Sequence, residues 1–184
     1  SSTDSFGMAI AMNGAGTRVA VSDLQYRRDR GGIYIYDWNS GSNSWTLSAT
    51  LMQRQRSVLF GSSLAMSSDG LRVVAGAPLA NRALVFEYTA GAWSNTQTIT
   101  SPSGRLAGTW FGSSVSMSKD GVAIAIGESQ FTNGGTSNVG RVHTYRRANR
   151  WRSWGTMLVG DTANENCGHS VAIGNVDEDG ARLA

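Results

Sequence analysis

Short apolar runs alternate with polar turns along the whole chain, and this pattern predicts β-strands joined by hairpins. The clearest example starts at Phe60, runs through residues 64–66, turns at Ser68-Asp69-Gly70 and returns along residues 72–75. Asp-Gly and Asn-Gly pairs favour the positive φ angles of tight hairpin turns. No stretch sustains the 3.6-residue spacing of an amphipathic helix. We therefore predict an all-β chain.

The same pattern of four apolar runs recurs at a nearly constant interval. Four copies start at the dipeptides Phe6-Gly7, Phe60-Gly61, Phe111-Gly112 and Cys167-Gly168. The steps between these dipeptides are 54, 51 and 56 residues, and intervals of this size are typical of propellers and related arrays. We predict a single propeller segment over residues 1–184, with repeats at approximately 6–59, 60–110 and 111–166 and an incomplete repeat at 167–184.

The chemistry of the runs predicts how the strands stack. The second run of each copy is apolar at successive positions, as in residues 123–126, and strands buried on both faces have this pattern. Its small residues favour an inner position, where neighbouring sheets converge. The third run is aromatic and the fourth begins with Trp45, Trp93 or Trp151, which favours outer positions. Radially stacked sheets of four antiparallel strands form a β-propeller.

Composition agrees with a folded protein that is rich in turns. Of the 184 residues, 23 are Gly and 2 are Pro, while 40% are apolar and 16% are charged, which argues against a disordered chain. No apolar run approaches the roughly 18 residues that cross a bilayer. The single cysteine, Cys167, excludes an intrachain disulfide.

The sequence offers no convincing catalytic group. Cys167 and His169 lack a third partner with zinc-ligand spacing, and Cys167 is expected to replace a core phenylalanine. We expect His143 to be a half-buried strand residue. The serines that follow Phe-Gly, such as Ser62 and Ser63, have no nucleophile-elbow context and are expected to satisfy backbone groups. We predict no catalytic residues and no enzymatic activity.

These residues resemble the FG-GAP repeat, the blade of the β-propeller at the head of integrin α-chains. Phe60-Gly61 and Gly76-Ala77-Pro78 match the motif that gives the repeat its name. Val21-Ser22-Asp23 and Gly127-Glu128-Ser129 stand at the Gly-Ala-Pro place in the first and third copies. Since propellers of this family usually close with about seven blades, the resemblance implies part of a larger propeller. Its exposed end would then need a neighbour, either the remainder of the same propeller or another subunit.

The resemblance also implies a class of function. It suggests a non-enzymatic scaffold for adhesion or assembly, which presents propeller loops to a protein partner in an extracellular, cell-surface or secretory-lumen setting. The alternative is a carbohydrate-binding propeller, because exposed tryptophans can stack on sugars. We predict no specific nucleic-acid partner and no transmembrane segment.

The hairpin of the fourth copy contains the best metal motif. Asn175, Asp177 and Asp179 alternate oxygen-bearing side chains ahead of Gly180, an arrangement that can wrap a hard cation. The resemblance implies Ca²⁺ here, because some FG-GAP blades hold calcium in this hairpin. Leu183 replaces the last carboxylate of the family loop, and a plain acidic turn is the alternative.

Arginines form the other candidate surface. The net charge is +3 and the isoelectric point is near 9.4, and the clustered arginines either bind an anionic partner or keep the loops solvated. In a propeller the loops between second and third strands share a face with the connections between blades, and such loops often carry function. Trp110 and Trp154 fall outside the repeated tryptophan position. The predicted partner-binding residues are Arg27, Arg28, Arg30, Arg54, Arg56, Phe131, Trp110 and Trp154.

Overall fold

The computed structural model describes residues 5–56, 58–104, 108–177 and 180–183, with the side chains in these ranges except at 28–29 and 175–183. The strands within these ranges are β1 Phe6–Met12, β2 Arg18–Asp23, β3 Gly32–Asn39, β4 Ser44–Met52, β5 Leu64–Met66, β6 Arg72–Ala77, β7 Arg82–Thr89, β8 Ala92–Thr100, β9 Phe111–Met117, β10 Ala123–Glu128, β11 Arg141–Arg147, β12 Trp151–Ser153, β13 Leu158–Val159, β14 Ile173–Asp177 and β15 Gly180–Leu183. One helical turn, α1 Tyr26–Asp29, and a 3-10 turn, Pro78–Ala80, lie in loops.

The strands form successive antiparallel sheets in which neighbours along the chain pair with one another. The first sheet has the order β1-β2-β3-β4 and the second has the order β5-β6-β7-β8. The third sheet contains β9 to β12 in the same order, with β13 also paired to β11, and β14 pairs with β15. This order is that of propeller blades, and the predicted all-β propeller segment is confirmed. Across the described residues, no helix has the length and apolar character needed to cross a membrane.

The first strand of each unit is the innermost. β1 contacts β5, β5 contacts β9 and β9 contacts β14, so the first strands of consecutive units lie side by side. The second strands, for which the sequence predicted an inner position, lie directly outside them. In β10 all six residues are buried, as expected for a strand that is covered on both faces.

Apolar cores lie between consecutive sheets of the described residues, two of them large and the third small. In the first core, Ile33 and Ile35 of the first sheet pack with Val73 and Phe86 of the second. The second core repeats this arrangement between the second and third sheets, where Trp151 is only 4% exposed. Fully burying one such side chain contributes about 1.5–3 kcal/mol. Hydrogen bonds therefore join the strands within each sheet, and apolar burial between the sheets joins the units to one another.

The Gly-Ala-Pro position brings consecutive units into backbone contact. A Cβ atom at Gly76 would overlap the carbonyl oxygen of Gly112, which is the Phe-Gly glycine of the next unit. Ser63 Oγ donates a hydrogen bond to the same oxygen at 3.0 Å, in the backbone-satisfying role predicted for it. For Ser62 the same prediction is wrong, because its hydroxyl bonds none of the described residues. Gly127 and Gly168 repeat the close approach one unit later. Glycine is needed here because only a residue without a side chain leaves room for the neighbouring backbone.

The first unit departs from this arrangement. Its strand register aligns Ser22, rather than Val21, with Gly76, so the alignment of Val21-Ser22-Asp23 with Gly-Ala-Pro is wrong by one residue. Hydrophobicity along a single strand does not fix the register, whereas pairing with the next strand does. The Ser22 hydroxyl accepts a hydrogen bond from the backbone N–H of Ala9 at 2.9 Å. A side chain thus takes over a backbone-satisfying role within the first unit.

Candidate binding sites on the loop face

The loops between second and third strands lie beside the connections between units, and we call the surface that they form together the loop face. In the first unit, Gln53 Nε2 donates to the carbonyl oxygen of Arg30 at 2.8 Å. In the third unit, the backbone N–H of Asn164 donates to the carbonyl oxygen of Ser137 at 3.0 Å. The predicted sharing of one face by these two kinds of loop is confirmed.

Three of the predicted arginines meet in a concave site on this face, which we call the arginine cavity. It has a volume of about 240 Å³ and is lined by Tyr26, Arg27, Arg30, Gly31, Met52, Gln53 and Arg54. The turn α1 supplies one wall and the end of β4 supplies the other. Residues that are separate in the sequence are brought together because β3 and β4 pair along their full length, so that Gly32 lies opposite Met52.

The chemistry of the arginine cavity favours an anion. Arg27, Arg30 and Arg54 each carry a permanent positive charge, and none of the described residues that line the cavity carries a carboxylate. The Nε atom of Arg30 is buried without a hydrogen-bond partner among the described residues. A guanidinium binds carboxylate, phosphate or sulfate through charge-assisted hydrogen bonds. The cavity can therefore hold an anionic group of a partner, and it offers no group that performs acid-base or nucleophilic chemistry.

A second site, which we call the axial cavity, is built from equivalent positions of all four units. Its volume is about 480 Å³, and it is lined by Met8, Leu24, Leu59, Ser62, Pro78, Trp110, Ser113, Ser129, Gln130, Asn166 and His169. The residue directly after Phe-Gly, or after Cys-Gly, lines it in every unit. Because the first strands are innermost, their entry points converge, and the cavity lies where they converge.

The residues directly before Phe-Gly share an unusual backbone conformation. Leu59, Trp110 and Asn166 have φ angles of 54°, 58° and 54°. Positive φ is rare for a bulky residue such as Trp and marks a strained position. In each of these three units a hydrogen-bonded turn holds the conformation. The backbone N–H of Ser113, for example, donates to the carbonyl oxygen of Trp110 at 3.0 Å. Three different residues thus share one backbone conformation, and all three line the same cavity.

One polar group in the axial cavity lacks a partner. The hydroxyl of Ser62 is buried and makes no hydrogen bond with any described residue. Its equivalent Ser113 donates to the carbonyl oxygen of Gly127 at 3.4 Å, which is a long hydrogen bond. An unsatisfied buried hydroxyl costs about 1–3 kcal/mol. A ligand group that reaches Ser62 would recover part of that cost.

Behind the loop face lies a buried charge cluster that sequence reasoning missed. Glu128, at the end of β10, is fully buried, and its carboxylate accepts hydrogen bonds from Ser101 Oγ at 2.7 Å, Arg141 Nε at 2.6 Å and His143 Nε2 at 2.7 Å. Burial alone would raise the pKa of Glu128, but the hydrogen bonds from His143, Arg141 and Ser101 outweigh burial and lower the pKa to about 2. Burial, reinforced by the Glu128 charge, raises the pKa of Tyr145 to about 12.

This cluster corrects the expectation for His143, which is 3% exposed rather than half-buried. Its ring packs edge to face against Phe111, and its Nε2 is used by Glu128. An opposite-charge pair on neighbouring strands could have predicted this cluster, because Glu128 lies directly opposite Arg141 where β10 pairs with β11. Ser101, Arg141 and His143 each donate to Glu128, so the hydrogen-bonding capacity of this carboxylate is used within the cluster.

The other predicted contact residues whose side chains are described line neither cavity. The Arg141 guanidinium lies 3.6 Å from the centre of the Phe131 ring, and Arg146 lies 5.7 Å from that of Trp154. Arg56 is exposed. The side chain of Arg28 lies outside the described residues. The structure thus brings together Arg27, Arg30 and Arg54 in one site and places Trp110 in another, while Arg56, Phe131 and Trp154 line neither cavity.

The predicted metal loop lies mostly outside the described residues. Asn175 and Asp177 belong to β14, but their side chains, and the whole of Asp179, lie outside the described residues. In the part of the chain that the structure describes, no three His, Cys, Asp or Glu side chains are grouped so that they could hold a metal ion. Cys167 packs against the small apolar cluster that contains Ala125 and Val142, as expected for a substitute of phenylalanine. Burial raises the pKa of its thiol.

Comparison with known proteins gives the fold and no family. No family model matches the sequence. No curated protein matches it either. Similar solved structures include the hydrazine synthase of Kuenenia stuttgartiensis, with 12% identity and a TM-score of 0.57 over 95% of this chain and 40% of that one. They also include a putative 6-phosphogluconolactonase from Bacteroides uniformis, with 13% identity and a TM-score of 0.62 over 98% and 47%, and Saccharomyces cerevisiae Sqt1, with 15% identity and a TM-score of 0.53 over 85% and 35%.

The chain therefore spans less than half the length of each of these structures. At identities this low the likeness shows the fold alone. The neighbours are propeller folds, in agreement with the successive four-stranded sheets, and the protein is a segment of a β-propeller.

Proposed function

We propose that the chain is a non-catalytic interaction and assembly module built of FG-GAP-like blades, which works in an extracellular, cell-surface or secretory-lumen setting. Phe60-Gly61 and the glycine of Gly76-Ala77-Pro78 support the FG-GAP assignment, because they occupy the contact between successive blades. A rigid stack of sheets presents the loop face to a protein partner, and the end sheet packs against a neighbour. Adhesion and structural assembly are the roles that this arrangement serves best.

The observation that carries the proposal is an apolar surface on the first sheet, which we call the end face. Ile10 is 61% exposed and Leu47 is 54% exposed. The rings of Trp38 and Trp45 pack against each other beside them, with centroids 5.4 Å apart. An exposed apolar surface of this kind marks an interaction site.

The internal repeats show what kind of surface the end face is. The strand register aligns Ile10 of the first unit with Leu64 of the second and Val115 of the third. Leu64 packs against the core between the first and second sheets, and Val115 belongs to the core between the second and third. The same face of the blade is thus buried by the preceding blade in two units out of three. We propose that a further blade, from the same polypeptide or from another subunit, covers the end face.

Sedimentation of the 184-residue chain tests this proposal. We expect concentration-dependent association of the wild type, because none of the described residues covers the end face. Ile10→Asp should shift the chain to monomer, whereas Leu79→Asp, which changes a residue that is 50% exposed in the loop after β6, should not. A wild-type chain that stays monomeric at every concentration, or equal behaviour of the two variants, would contradict the proposal.

Carbohydrate binding is the second candidate, favoured by the position of Trp110 in the axial cavity. Binding to a glycan array that is lost on changing Trp110 would support it. Calcium binding by Asn175, Asp177 and Asp179 also remains a proposal. Calorimetric titration with Ca²⁺ tests it, and an absence of heat above the buffer blank would exclude it.

A further inference from the structure

We infer that the two cavities of the loop face form one docking site for a peptide segment of the partner, with an apolar side chain in the axial cavity and a nearby carboxylate in the arginine cavity. The inference rests on the proposed function as a protein-interaction module, and it specifies the chemistry of the partner. It uses residues of the loop face only, and the end face takes no part in it.

The axial cavity suits an uncharged, largely apolar group. None of its lining residues is Asp, Glu, Lys or Arg. An ionised group placed there would lose hydration without gaining a counter-ion, which is costly. Apolar side chains line much of the wall, and they are Met8, Leu24, Leu59, Pro78 and Trp110. A volume of about 480 Å³ accommodates a leucine, phenylalanine or tryptophan side chain, the type of anchor that dominates many interfaces.

The arginine cavity supplies the complementary charge. Three arginines line it, and no described carboxylate does. A carboxylate is the anionic group that a peptide carries on its side chains, and it matches the planar fork of arginine. An acidic partner segment is therefore favoured over a neutral or basic one.

The two cavities are close enough for one short segment. Leu24 lines the axial cavity and Tyr26 lines the arginine cavity, so the two walls belong to the same loop. Residues two apart along a chain lie at most about 7 Å apart. An extended peptide advances about 3.3 Å per residue. An apolar anchor and a carboxylate separated by one to three residues can therefore reach both cavities.

A glycan fits these surfaces less well than a peptide. Each sugar ring carries several hydroxyls, and those that face Met8, Leu24, Leu59 and Pro78 would lose water without gaining a hydrogen bond. Each such loss costs about 1–3 kcal/mol. An apolar side chain has no such cost where it meets these residues, so the apolar part of the wall favours a peptide anchor, whose backbone can bond the polar part. An acidic sugar remains a measurable competitor, and it enters the test as a separate probe.

Fluorescence anisotropy with defined peptides tests the inference on the full chain. The probe is a labelled peptide in which leucine, phenylalanine or tryptophan is followed, after one glycine, by two glutamates. We expect binding that weakens at least tenfold when the anchor becomes alanine, and likewise when the glutamates become glutamines. Binding should also weaken with rising salt, because two charges are neutralised.

Variants of the protein locate the site. Trp110→Asn places in the cavity the residue type that already stands at the equivalent position, Asn166, and so keeps a residue that tolerates positive φ. We expect it to weaken the leucine peptide at least tenfold, and we expect Arg27→Glu with Arg54→Glu to do the same. Arg152→Glu, an exposed arginine of β12, is the matched control and should change binding less than twofold.

Three results would overturn the inference. One is that no peptide of the series binds with a Kd below about 1 mM. The second is peptide binding that Trp110→Asn and the arginine variants leave unchanged. The third is tight binding of a glucuronate-containing oligosaccharide with no peptide binding, which would assign the site to glycans. If the wild type binds no peptide of the series but Ile10→Asp still abolishes self-association, this inference alone is refuted and the assembly role stands.

Discussion

The buried carboxylate of Glu128 gives the sharpest test of how the blades are stabilised. Glu128→Gln keeps the size of the side chain but removes its charge, and it leaves the guanidinium of Arg141, which is 6% exposed, without its counter-ion. Removing one partner of a buried ion pair typically costs 3–5 kcal/mol, because the remaining charge stays desolvated. We expect the free energy of unfolding at pH 7 to fall by about 3 kcal/mol, with an unchanged dependence on urea concentration.

The pH dependence supplies an independent magnitude. The pKa of Glu128 falls from its ordinary 4.5 to about 2 in the folded protein. Because the folded pKa is the lower one, the stabilisation is fully present above pH 4.5 and is lost as the pH falls through the folded value. A difference of two to three pKa units corresponds to about 3 kcal/mol, the same size as the loss expected for Glu128→Gln.

Urea unfolding at a series of pH values between 2 and 7 measures both quantities. The wild type should lose about 3 kcal/mol from this carboxylate across the acid range, whereas Glu128→Gln should lack that loss, so the two curves should converge at low pH. Asp37→Asn is the control, because Asp37 forms a partly exposed pair with Arg18 and should contribute no more than about 1 kcal/mol. If Glu128→Gln costs no more than Asp37→Asn and keeps the acid slope of the wild type, the assigned network is not stabilising.

Two further predictions concern packing between units. Gly76→Ala would force a Cβ atom against the Gly112 carbonyl, and in urea unfolding it should lower the free energy of unfolding by about 2–4 kcal/mol. The control, Gly41→Ala at an exposed position, should stay within about 0.5 kcal/mol of the wild type. Equal effects of the two variants would refute the contact. Burial raises the pKa of the Cys167 thiol, so in the folded protein at pH 8 it should react with a disulfide reagent more slowly than free cysteine does. In the denatured protein it should react at the rate of free cysteine. A fast reaction in the folded protein would show that the thiol is exposed.

The architecture was largely predictable because its signals are local and repeated. The Phe-Gly dipeptides, the Ser68-Asp69-Gly70 turn and the uninterrupted apolar residues of β10 each specify a short element, and recurrence at similar steps specifies a stack. The exact register was less accessible, as the displaced assignment at Val21 shows. A shift of one residue changes which side chains face the neighbour, and only pairing between strands decides it.

The candidate sites were only partly predictable, because they form between units. Arg27 and Arg30 belong to one cluster in the sequence and Arg54 belongs to another. The pairing of β3 with β4 brings the two clusters together, and the sequence alone did not predict it. Trp110 was treated as lying outside the repeat, and indeed it does not occupy the tryptophan position. It occupies instead the position of Leu59 and Asn166, a repeat of conformation without a repeat of residue type. A comparison of residue types across the units does not reveal this equivalence. A comparison of the backbone φ angles at the position before Phe-Gly or Cys-Gly does.

The described ion pairs separate the arginines into two groups, and this separation supports a binding role for one of them. Arg141 and Arg147 contact Glu128 and Glu87, at 2.6 Å and 2.9 Å, so their charges are neutralised inside or between blades. The arginine cavity contains three guanidiniums and no described carboxylate, although a chain with 13 acidic residues could supply one. Holding like charges together costs free energy in the isolated module, and an anionic partner removes that cost on binding. Ion pairing therefore accounts for the arginines between the blades, and the proposed anionic partner would account for those of the cavity.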